Sequence, residues 1–595
     1  MLDGLNSHQL EAVTTDKNAL VVACPGSGKT HVLTRKIAYE LERLESKKKF
    51  IIALTYTNRA AEEIQRRLDE LGIPQEQFWA GTIHSFCYQW IIKPYAAYEP
   101  SLLNGFSIID ENKKKKILNK LKEQHSVPYY TDINTALSRE GEYLNFDSYN
   151  NNIAKEFHYN ILANKEIDFD LLLFYSYKML RHRKKIRSHL ANLFSYIFID
   201  EFQDTQDLQY AIIGQVITEA KNKCKLFLVG DPDQAIYGSL GGIPKTLKEI
   251  KKEIGNQEIV FKEIPGNYRS TQKIINFFKN FQSTEVNIEA IGKHANESGL
   301  ITLDTLTNKD YLYKKFADII TQNLKNGVKP SEICIIAPQW YFLTPLAQKL
   351  RAFLPDVPFD APEVSPLPTN RENFWWKLSR LFLSDITPDT SMNRFRWMKQ
   401  LIADLNNYTN GSFGEEYTDC RRYLKIINSI NSKETTGILY LEEVFKAFFK
   451  RLELDINDHY ILLEQWNIFF NSIHSKYGSS DFIGTPNDIQ YFKNIFKPST
   501  GVVINTCHGV KGEEFKTVIA FGLLWGYIPH WNYIRNQPYH IAESSSKKLL
   551  YVIGSRAKMN LHLFAEQGRK AKSGYVYKIN DQLAEIRFEY DSSFQ

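Results

Sequence analysis

Short uninterrupted apolar runs recur along the chain, and each is followed by a turn signal and then by a helical pattern. Such runs, rich in β-branched residues, are typical of strands buried on both faces of a parallel sheet. The first set comprises Ala19–Ala23, Phe50–Thr55, Tyr196–Ile199 and Leu226–Val229, and a later set comprises Glu332–Ala337, Gly501–Thr506, Thr517–Phe521 and Leu561–Ala565. The pattern therefore predicts an α/β fold with two parallel-sheet units.

Each predicted unit is interrupted by a segment with a mainly helical pattern. Residues 1–87 and 191–264 are predicted to form the first α/β domain, with a helical insertion at 88–190. Residues 265–374 and 499–595 are predicted to form the second, with a helical insertion at 375–498. The aromatic side chains of Trp340, Tyr341, Trp375 and Trp376 are expected in a core, since aromatic residues bury large apolar surfaces.

Composition narrows the class of protein. The 595 residues are 43% hydrophobic and 24% charged, which suits several globular domains and excludes a disordered chain. The apolar runs are far shorter than the roughly 18 residues of a membrane span, and the first residues lack the pattern of a signal peptide. Six scattered cysteines without a CxxC pair favour a reducing cytoplasm. The net charge of +6 permits a polyanionic partner without requiring one.

Residues 19–30, ALVVACPGSGKT, predict a phosphate-binding loop between a strand and a helix. The turn of this loop consists of Pro25, Gly26, Ser27 and Gly28. Its backbone N–H groups, which proline lacks, and the helix N-terminus would surround phosphate oxygens. Lys29 would reach the β- and γ-phosphates, and the Thr30 hydroxyl would ligate Mg²⁺. The usual pattern begins with Gly where this chain has Ala23, and the alternative is a chance glycine-rich turn.

Two further strand ends carry polar residues suited to nucleotide hydrolysis. In YIFIDEFQDT (196–205), Asp200 would hold the Mg²⁺ and Glu201 would orient and deprotonate the attacking water. Acidic residues after a strand are also common helix caps. The pair therefore indicates a catalytic site only in combination with the phosphate-binding loop. In LFLVGDPDQAIYGSLGG (226–242), Gln234 could sense the γ-phosphate, although alone this segment is more simply a structural turn.

The order of these motifs resembles that of superfamily 1A DNA helicases of the UvrD/Rep/PcrA type. LNSHQLEAV resembles the N-terminal glutamine motif, which implies that Gln9 contacts adenine. ALTYTNRAAEEI (53–64) and AGTIHSF (80–86) resemble the motifs that line the single-strand track. The resemblance implies DNA contacts for Tyr56, Thr57, Asn58, Thr82 and His84, with Tyr237 as a further stacking surface.

The second half continues the resemblance. IPGNYRSTQKII (264–275) implies that Tyr268 stacks on adenine and Arg269 meets the γ-phosphate. INTCHGVKGEEF (504–515) implies that Thr506 and His508 lie near DNA, Gly512 near the phosphates and Glu514 on the ribose. LLYVIGSRAKMNLHL (549–563) implies a second arginine, Arg556, that stabilises the charge of phosphoryl transfer.

The family resemblance implies two RecA-like motor domains that use ATP and Mg²⁺ to move on single-stranded DNA, in the 3′ to 5′ direction, and to unwind duplex at single-strand/duplex junctions. Ser239 and Leu240 depart from it, because relatives carry Trp and Arg there. This departure and the small second insertion favour an alternative, a DNA-sensing ATPase that licenses a partner nuclease of the OLD type, as in Gabija antiviral defence systems. RNA as the track remains open, and no membrane partner is expected.

Overall fold

A computed structural model describes residues 2–109, 111–145, 147–238, 241–361, 365–368, 373–409, 411, 413–478, 486–497, 500–571 and 573–594. The chain forms two compact units. Unit 1 comprises Met1–Asp310 and Cys507–Gln595, and unit 2 comprises Tyr311–Thr506. Ser239 and Leu240, where the sequence resemblance leads us to expect Trp and Arg, lie outside the described residues. The division into four domains made from the sequence stays a prediction.

The first part of unit 1 alternates strands with helices. Its strands are β1 (Asn18–Ala23), β2 (Phe50–Thr55), β3 (Phe78–Thr82), β4 (Ser107–Ile108), β5 (Glu166–Ile167), β6 (Phe194–Asp200), β7 (Lys225–Gly230), β8 (Ile259–Ile264), β9 (Gly266–Asn267), β10 (Glu289–Ala290) and β11 (Leu300–Asp304). Its helices are α1 (Ser7–Thr14), α2 (Lys29–Glu42), α3 (Asn58–Glu70), α4 (Ile83–Phe86), α5 (Lys93–Tyr95), α6 (Glu111–Gln124), α7 (Ser148–Ala163), α8 (Phe169–His182), α9 (Lys184–Leu193), α10 (Asp207–Ala220), α11 (Leu247–Glu253) and α12 (Gln272–Phe278). The predicted insertion at 88–190 is mostly helical.

Six of these strands form one parallel sheet in the order β3-β2-β6-β7-β1-β8. The four strands predicted here from apolar runs are its four inner strands, and every residue of β1 is buried. Crossover helices cover the faces of such a sheet, which explains the uninterrupted apolar runs. The carboxyl ends of β1, β6 and β7 therefore meet at one edge, where ligands bind in open parallel sheets.

Unit 2 pairs a few parallel strands with many helices. Its elements are β12 (Ile333–Ala337), β13 (Phe359–Asp360), β14 (Val502–Thr506), α13 (Leu312–Lys325), α14 (Trp340–Phe353), α15 (Phe374–Leu383), α16 (Pro388–Thr409), α17 (Tyr417–Ser429), α18 (Gly437–Arg451), α19 (Tyr460–Tyr477) and α20 (Ile489–Asn494). The strands pair in the order β13-β14-β12. The described part of the predicted insertion at 375–498 is helical, as expected.

The helices of unit 2 enclose an aromatic core. Trp375 is fully buried, its ring centroid lies 5.2 Å from that of Phe445 and 4.7 Å from that of Trp466, and its Nε1–H donates to the Leu462 carbonyl at 2.9 Å. The core placement expected for Trp375 is thus confirmed. Tyr341 was expected in a core as well, but that prediction is wrong, because its side chain is 74% exposed on α14.

The chain returns to unit 1 with β15 (Phe515–Ala520), α21 (Trp531–Asn536), α22 (Tyr539–Ser555), β16 (Ala557–Phe564), α23 (Asp581–Glu585) and β17 (Ser592–Phe594). Strand β11 lies between β16 and β17, and the parallel order in this unit is β15-β16-β11-β17. Among the described helices, none combines the length and the apolar character needed to cross a membrane. This last segment packs α22 against α12 through Phe278 and Tyr551, whose ring centroids lie 5.1 Å apart.

Candidate active site

The loop after β1 has the backbone geometry of a phosphate cradle. Gly26 and Gly28 adopt φ values of +70° and +82°, a left-handed conformation that glycine adopts without steric cost. Helix α2 begins at Lys29, so its free N–H groups and positive dipole end face the loop. The Lys29 ammonium donates to the Ala23 carbonyl at 3.4 Å, which folds the side chain back over the cradle. The loop thus has the conformation expected of a phosphate cradle, and its binding of phosphate stays a prediction.

Two acidic residues stand at the carboxyl end of β6. Asp200 is buried, and its Oδ1 accepts the Glu201 N–H at 3.0 Å. Glu201 has a left-handed backbone, with φ of +53°, and its Oε2 accepts from Gln203 Nε2 at 2.5 Å. Burial and the adjacent Glu201 raise the pKa of Asp200, whereas for Glu201 the effect of burial is outweighed by Lys29 and Lys511, which lower its pKa. The ionised form of Asp200 is thus disfavoured, whereas Glu201 is held ionised by the two lysines.

This pair fits a magnesium ion brought in by a nucleotide. A buried carboxylate whose charge is disfavoured by burial gains from a nearby divalent cation, and Thr30 supplies a hydroxyl in the first turn of α2. The described residues contain no cluster of three or more His, Cys, Asp or Glu side chains suited to hold a metal alone. Mg²⁺ commonly takes only one or two protein carboxylates and completes its shell with water and phosphate oxygens.

A short 3₁₀ turn, Pro232–Gln234, follows β7 and carries the predicted phosphate sensor. Gln234 is buried, and its Oε1 accepts from the Arg556 guanidinium at 2.8 Å. Its backbone carbonyl accepts from Lys511 Nζ at 2.8 Å, and the same ammonium pairs with the buried carboxylate of Asp204. Two cations from the last segment of unit 1 therefore converge on one glutamine.

Arg556 is 1% exposed and its charge is met mainly by oxygen atoms. Besides Gln234, its guanidinium donates to the Val552 and Glu513 carbonyls, both at 3.2 Å. Burial and the neighbouring Arg269 lower its pKa to about 9, so that it remains a cation at neutral pH. A desolvated arginine bonded to a buried amide at this edge of the sheet is suited to stabilise charge that develops during phosphoryl transfer.

Asp231, which the sequence analysis did not select, organises the other side of Gln234. Its Oδ2 accepts from Gln234 Nε2 at 2.8 Å and from the Tyr551 hydroxyl at 3.3 Å. Its backbone N–H donates to Gln203 Oε1 at 3.0 Å, which links the turn to the acidic pair. Burial raises the pKa of Asp231 to about 6. The amide of Gln234 is therefore fixed from both ends, with its oxygen towards Arg556.

The segment at β9 holds the phosphate loop from the other side. Asn267 Nδ2 donates to the Pro25 carbonyl at 2.7 Å, and the Tyr268 N–H donates to the Gly26 carbonyl at 2.8 Å. A Cβ added to Gly26 would lie 2.6 Å from the Arg269 Cβ, so only glycine allows this approach. Arg269 is thereby brought to the loop, and its contact with the γ-phosphate stays a prediction. Asn267 is a contact that the sequence analysis missed.

Arg269 is held by the segment that contains Glu514. Its Nε donates to Glu514 Oε2 at 2.6 Å, and Lys558 pairs with the other Glu514 oxygen at 2.9 Å. Burial alone would raise the pKa of Glu514, but Arg269 and Lys558 outweigh it and hold the pKa at about 2. Gly512 lies nearby in sequence with φ of +87° and open space where a Cβ would point. The ribose contact expected of Glu514 stays a prediction.

The adenine contacts expected from the sequence also stay predictions, but both residues lie at the loop. Gln9 is buried, its Nε2 donates to the Ser27 carbonyl at 2.9 Å, and its Oε1 accepts the Asn6 N–H at 3.1 Å. Asn6 Nδ2 donates to the Tyr268 hydroxyl at 2.9 Å. Tyr268 is 40% exposed, which leaves ring surface for a base.

Three of the predicted DNA contacts form an aromatic cluster, defined as Tyr56, Tyr237 and His508. The rings of Tyr56 and Tyr237 stack with centroids 4.5 Å apart, and the His508 ring lies 5.5 Å from that of Tyr237. The Tyr237 hydroxyl donates to the His508 carbonyl at 3.2 Å. Burial lowers the pKa of His508, which keeps its ring neutral at neutral pH. Tyr56 is 41% exposed and offers its ring to solvent.

The other predicted DNA contacts are distributed along the chain. Thr57 and Thr82 cap α3 and α4 by accepting the N–H groups of Ala60 and Ser85, both at 3.2 Å, and Asn58 is the first residue of α3. The His84 ring packs edge-on against Phe169, with centroids 5.1 Å apart. Thr506 ends β14 in unit 2 and is buried. Their contacts with nucleic acid stay predictions.

Part of the chain is similar to known helicases. Residues 5–255 match the family model described as the UvrD/REP helicase N-terminal domain. The chain is 29% identical over 294 residues to the ATP-dependent DNA helicase PcrA of Staphylococcus aureus strain Mu50, covering 46% of this chain and 39% of that protein. It is 28% identical over 360 residues to PcrA of Staphylococcus epidermidis strain RP62A, covering 56% of this chain and 48% of that protein. The chain therefore spans less than half of each of these relatives.

Proposed function

We propose that this UvrD/Rep/PcrA-like chain of the superfamily 1A type is an ATP-driven motor that moves along single-stranded DNA and separates duplex strands. The coarse activity, ATP-dependent DNA helicase, is supported by the matched N-terminal domain and by the PcrA relatives. The direction of movement that we propose, 3′ to 5′, follows the family resemblance.

The observation that carries the proposal is the turn at residues 231–237. At one end, Gln234 is bonded to Arg556 and lies among the residues suited to bind phosphate. Three residues later, Tyr237 stacks on Tyr56 and bonds to His508. A change in the bonds of Gln234 would move Tyr237 through a few backbone bonds. This arrangement supports coupling between the state of the nucleotide and the grip on DNA bases.

The residues around the phosphate loop would share the steps of ATP hydrolysis. Loop N–H groups and Lys29 bind the phosphates of Mg-ATP, with Asp200 and Thr30 towards the metal. Glu201, held ionised, orients the attacking water and accepts its proton. Arg269 and Arg556 stabilise the charge that develops on the transferred phosphoryl group.

Steady-state ATP hydrolysis with and without single-stranded DNA tests the proposal. The wild-type chain should be stimulated by DNA, and Glu201→Gln should lower kcat by at least about 100-fold, since general-base catalysis contributes roughly 10²–10⁴-fold. Glu543→Gln is a matched control, because Glu543 forms a half-exposed ion pair with Lys547 on α22. Hydrolysis that persists within tenfold in Glu201→Gln, or that ignores DNA, would refute the motor.

The alternative is a DNA-sensing ATPase that licenses a partner nuclease and unwinds little. Ser239 and Leu240, in place of the family's Trp and Arg, favour it, because a lost stacking aromatic weakens the grip on a base by roughly 1–3 kcal/mol. Strand displacement on duplexes with a 3′ or a 5′ tail separates the two. A motor displaces the strand from the 3′-tailed duplex, whereas a sensor hydrolyses ATP on both and displaces neither.

A further inference from the structure

A fully buried carboxylate beside the phosphate sensor has no role in the function proposed above. Asp233 is 0% exposed and directly precedes Gln234 in the 3₁₀ turn. It accepts four hydrogen bonds from two consecutive residues, Ser283 and Thr284. Oδ1 accepts the N–H of Ser283 at 2.7 Å and its hydroxyl, and Oδ2 accepts the N–H of Thr284 at 3.2 Å and its hydroxyl at 2.5 Å. We call this contact the clasp.

One donor of the clasp, Thr284, is oriented by a neighbouring side chain. Gln282 Nε2 donates to the Thr284 hydroxyl oxygen at 3.1 Å and to the Val286 carbonyl at 2.8 Å. The hydroxyl oxygen of Thr284 is thus occupied as an acceptor, which leaves its proton for Asp233. Four donors on one carboxylate make a charge-assisted set, and such bonds are about twice as strong as neutral ones.

The segment that carries the clasp also holds the phosphate loop. Residues 267–284 begin at Asn267, which bonds to the Pro25 carbonyl, continue through α12, and end at Ser283 and Thr284. Between these ends, Phe278 packs against Tyr551 of α22, the helix that ends just before Arg556. The same segment therefore touches the phosphate loop, the helix of the catalytic arginine and the sensor turn.

We propose that Asp233 is a positioning residue: through the clasp it sets the place of Gln234 relative to the phosphate loop and Arg556. This inference rests on the proposed ATPase function. A purely structural role predicts that loss of the clasp lowers stability alone. A positioning role predicts that it weakens the transition state more than the ground state, because Gln234 and Arg556 act where charge develops.

Two variants break the clasp in different ways. Asp233→Asn places an amide NH₂ against the backbone N–H and the hydroxyl of one donor residue, so that donors face donors. Ser283→Ala combined with Thr284→Val removes both hydroxyls and leaves the backbone bonds and Asp233 itself. Lys273→Ala is the matched control, since Lys273 lies on α12 but pairs with Asp591 away from the site.

Binding of ADP, and of ADP with aluminium fluoride, each with Mg²⁺, is measured beside kcat and KM for ATP. We expect both clasp variants to bind ADP within threefold of wild type, to lose roughly tenfold in affinity for the aluminium fluoride complex, and to lose roughly tenfold in kcat with KM changed less than threefold. The control should match wild type. Variants that match wild type in kcat and in both affinities, or that lose ADP binding as strongly, would overturn the inference.

Amide hydrogen exchange in the nucleotide-free chain decides the matter independently of turnover. Exchange at residues 231–238 should rise in Asp233→Asn and in the double variant but not in Lys273→Ala. Unchanged exchange at these residues would refute the positioning role of Asp233, even if the wild-type chain hydrolyses ATP. A wild-type chain that neither hydrolyses ATP nor prefers the aluminium fluoride complex would instead refute the proposed function. The exchange measurement would still test the positioning role of Asp233 in that case.

Discussion

Gln234 and Tyr237, in the turn at residues 231–237, are held by different kinds of interaction. Gln234 is buried and fixed by directional bonds to Arg556 and Asp231, where ionised groups stand in a low dielectric and an unpaired partner is costly. Tyr237 is held by ring stacking and one hydrogen bond beside the 41% exposed Tyr56. Stacking tolerates any base and small shifts in position. The position of Gln234 is therefore fixed closely, whereas Tyr237 can shift slightly and still stack.

The largest expected effect is at the buried end. Arg556→Ala should lower kcat by at least about 100-fold, because a catalytic arginine is worth 10³–10⁵ in related phosphoryl transfers. KM for ATP should change much less, because the contact that we propose for Arg556 strengthens only as charge develops in the transition state. Lys547→Ala, on the exposed side of the same region of α22, should leave kcat unchanged. Equal losses in both variants would mean that α22 is merely destabilised.

A smaller effect is expected at the stacked end. Tyr237→Ala should weaken binding of single-stranded DNA by roughly 5- to 150-fold, the equivalent of 1–3 kcal/mol for one stacked base. Hydrolysis without DNA should stay within threefold of wild type. Fluorescence anisotropy with a labelled oligonucleotide measures the loss, and Tyr159→Ala, a surface tyrosine 73% exposed, is the control. Loss of DNA-free hydrolysis in Tyr237→Ala would show that the two ends are not separable.

Burial of the Asp231 carboxylate should lower the stability of the folded chain at neutral pH. The pKa of Asp231 is about 6 in the folded chain, above its ordinary value, so the folded state holds a proton that the unfolded state releases. The free energy of unfolding therefore falls as pH rises from about 4 to 6, and the cost stays in place above that range. Asp231→Asn removes this ionisation cost but sets an amide NH₂ against a donor, either Gln234 Nε2 or the Asp233 N–H. Its stability relative to wild type should therefore be more favourable at pH 7.5 than at pH 4 by about 1–3 kcal/mol, with kcat lowered.

The gain in Asp231→Asn should shrink steadily as the pH is lowered below 6, which scanning calorimetry or dye-based melting at several pH values would follow. Asp310→Asn, at an exposed ion pair, should show no such trend. A gain that does not depend on pH would locate the stabilisation outside the ionisation of Asp231.

Much of the framework was predictable because it depends on local pattern. Uninterrupted apolar runs located the inner strands of the first sheet, and the glycines located the phosphate loop. The edge strands β3 and β8 were missed, since edge strands need not be apolar on both faces: β8 reads IVFKEI and has only Ile264 fully buried. The exposure of Tyr341 was likewise not visible in a helical apolar pattern.

The part of the site that sequence reasoning missed is the part that depends on partners distant along the chain. Lys511 stands inside a motif that was recognised, yet its bond to the Gln234 carbonyl spans 277 residues. Asn267 and Asp231 belong to ordinary-looking turns, and their importance appears only when their acceptors and donors are in place. A signal existed for Asn267, because it directly precedes the Tyr268–Arg269 pair.

The discontinuity of unit 1 has a consequence for synthesis. Strand β11 pairs Asp304 with Phe564 of β16, 260 residues later, and the whole of unit 2 is translated between them. At about 5–20 residues per second, β11 waits roughly 10–50 s on the ribosome for its neighbours. During that time the apolar side chains of Ile301 and Leu303, buried in the finished fold, lack the strands that cover them. We expect slow translation through residues 311–506 to lengthen this window, and chaperone capture of the nascent chain to be greatest there.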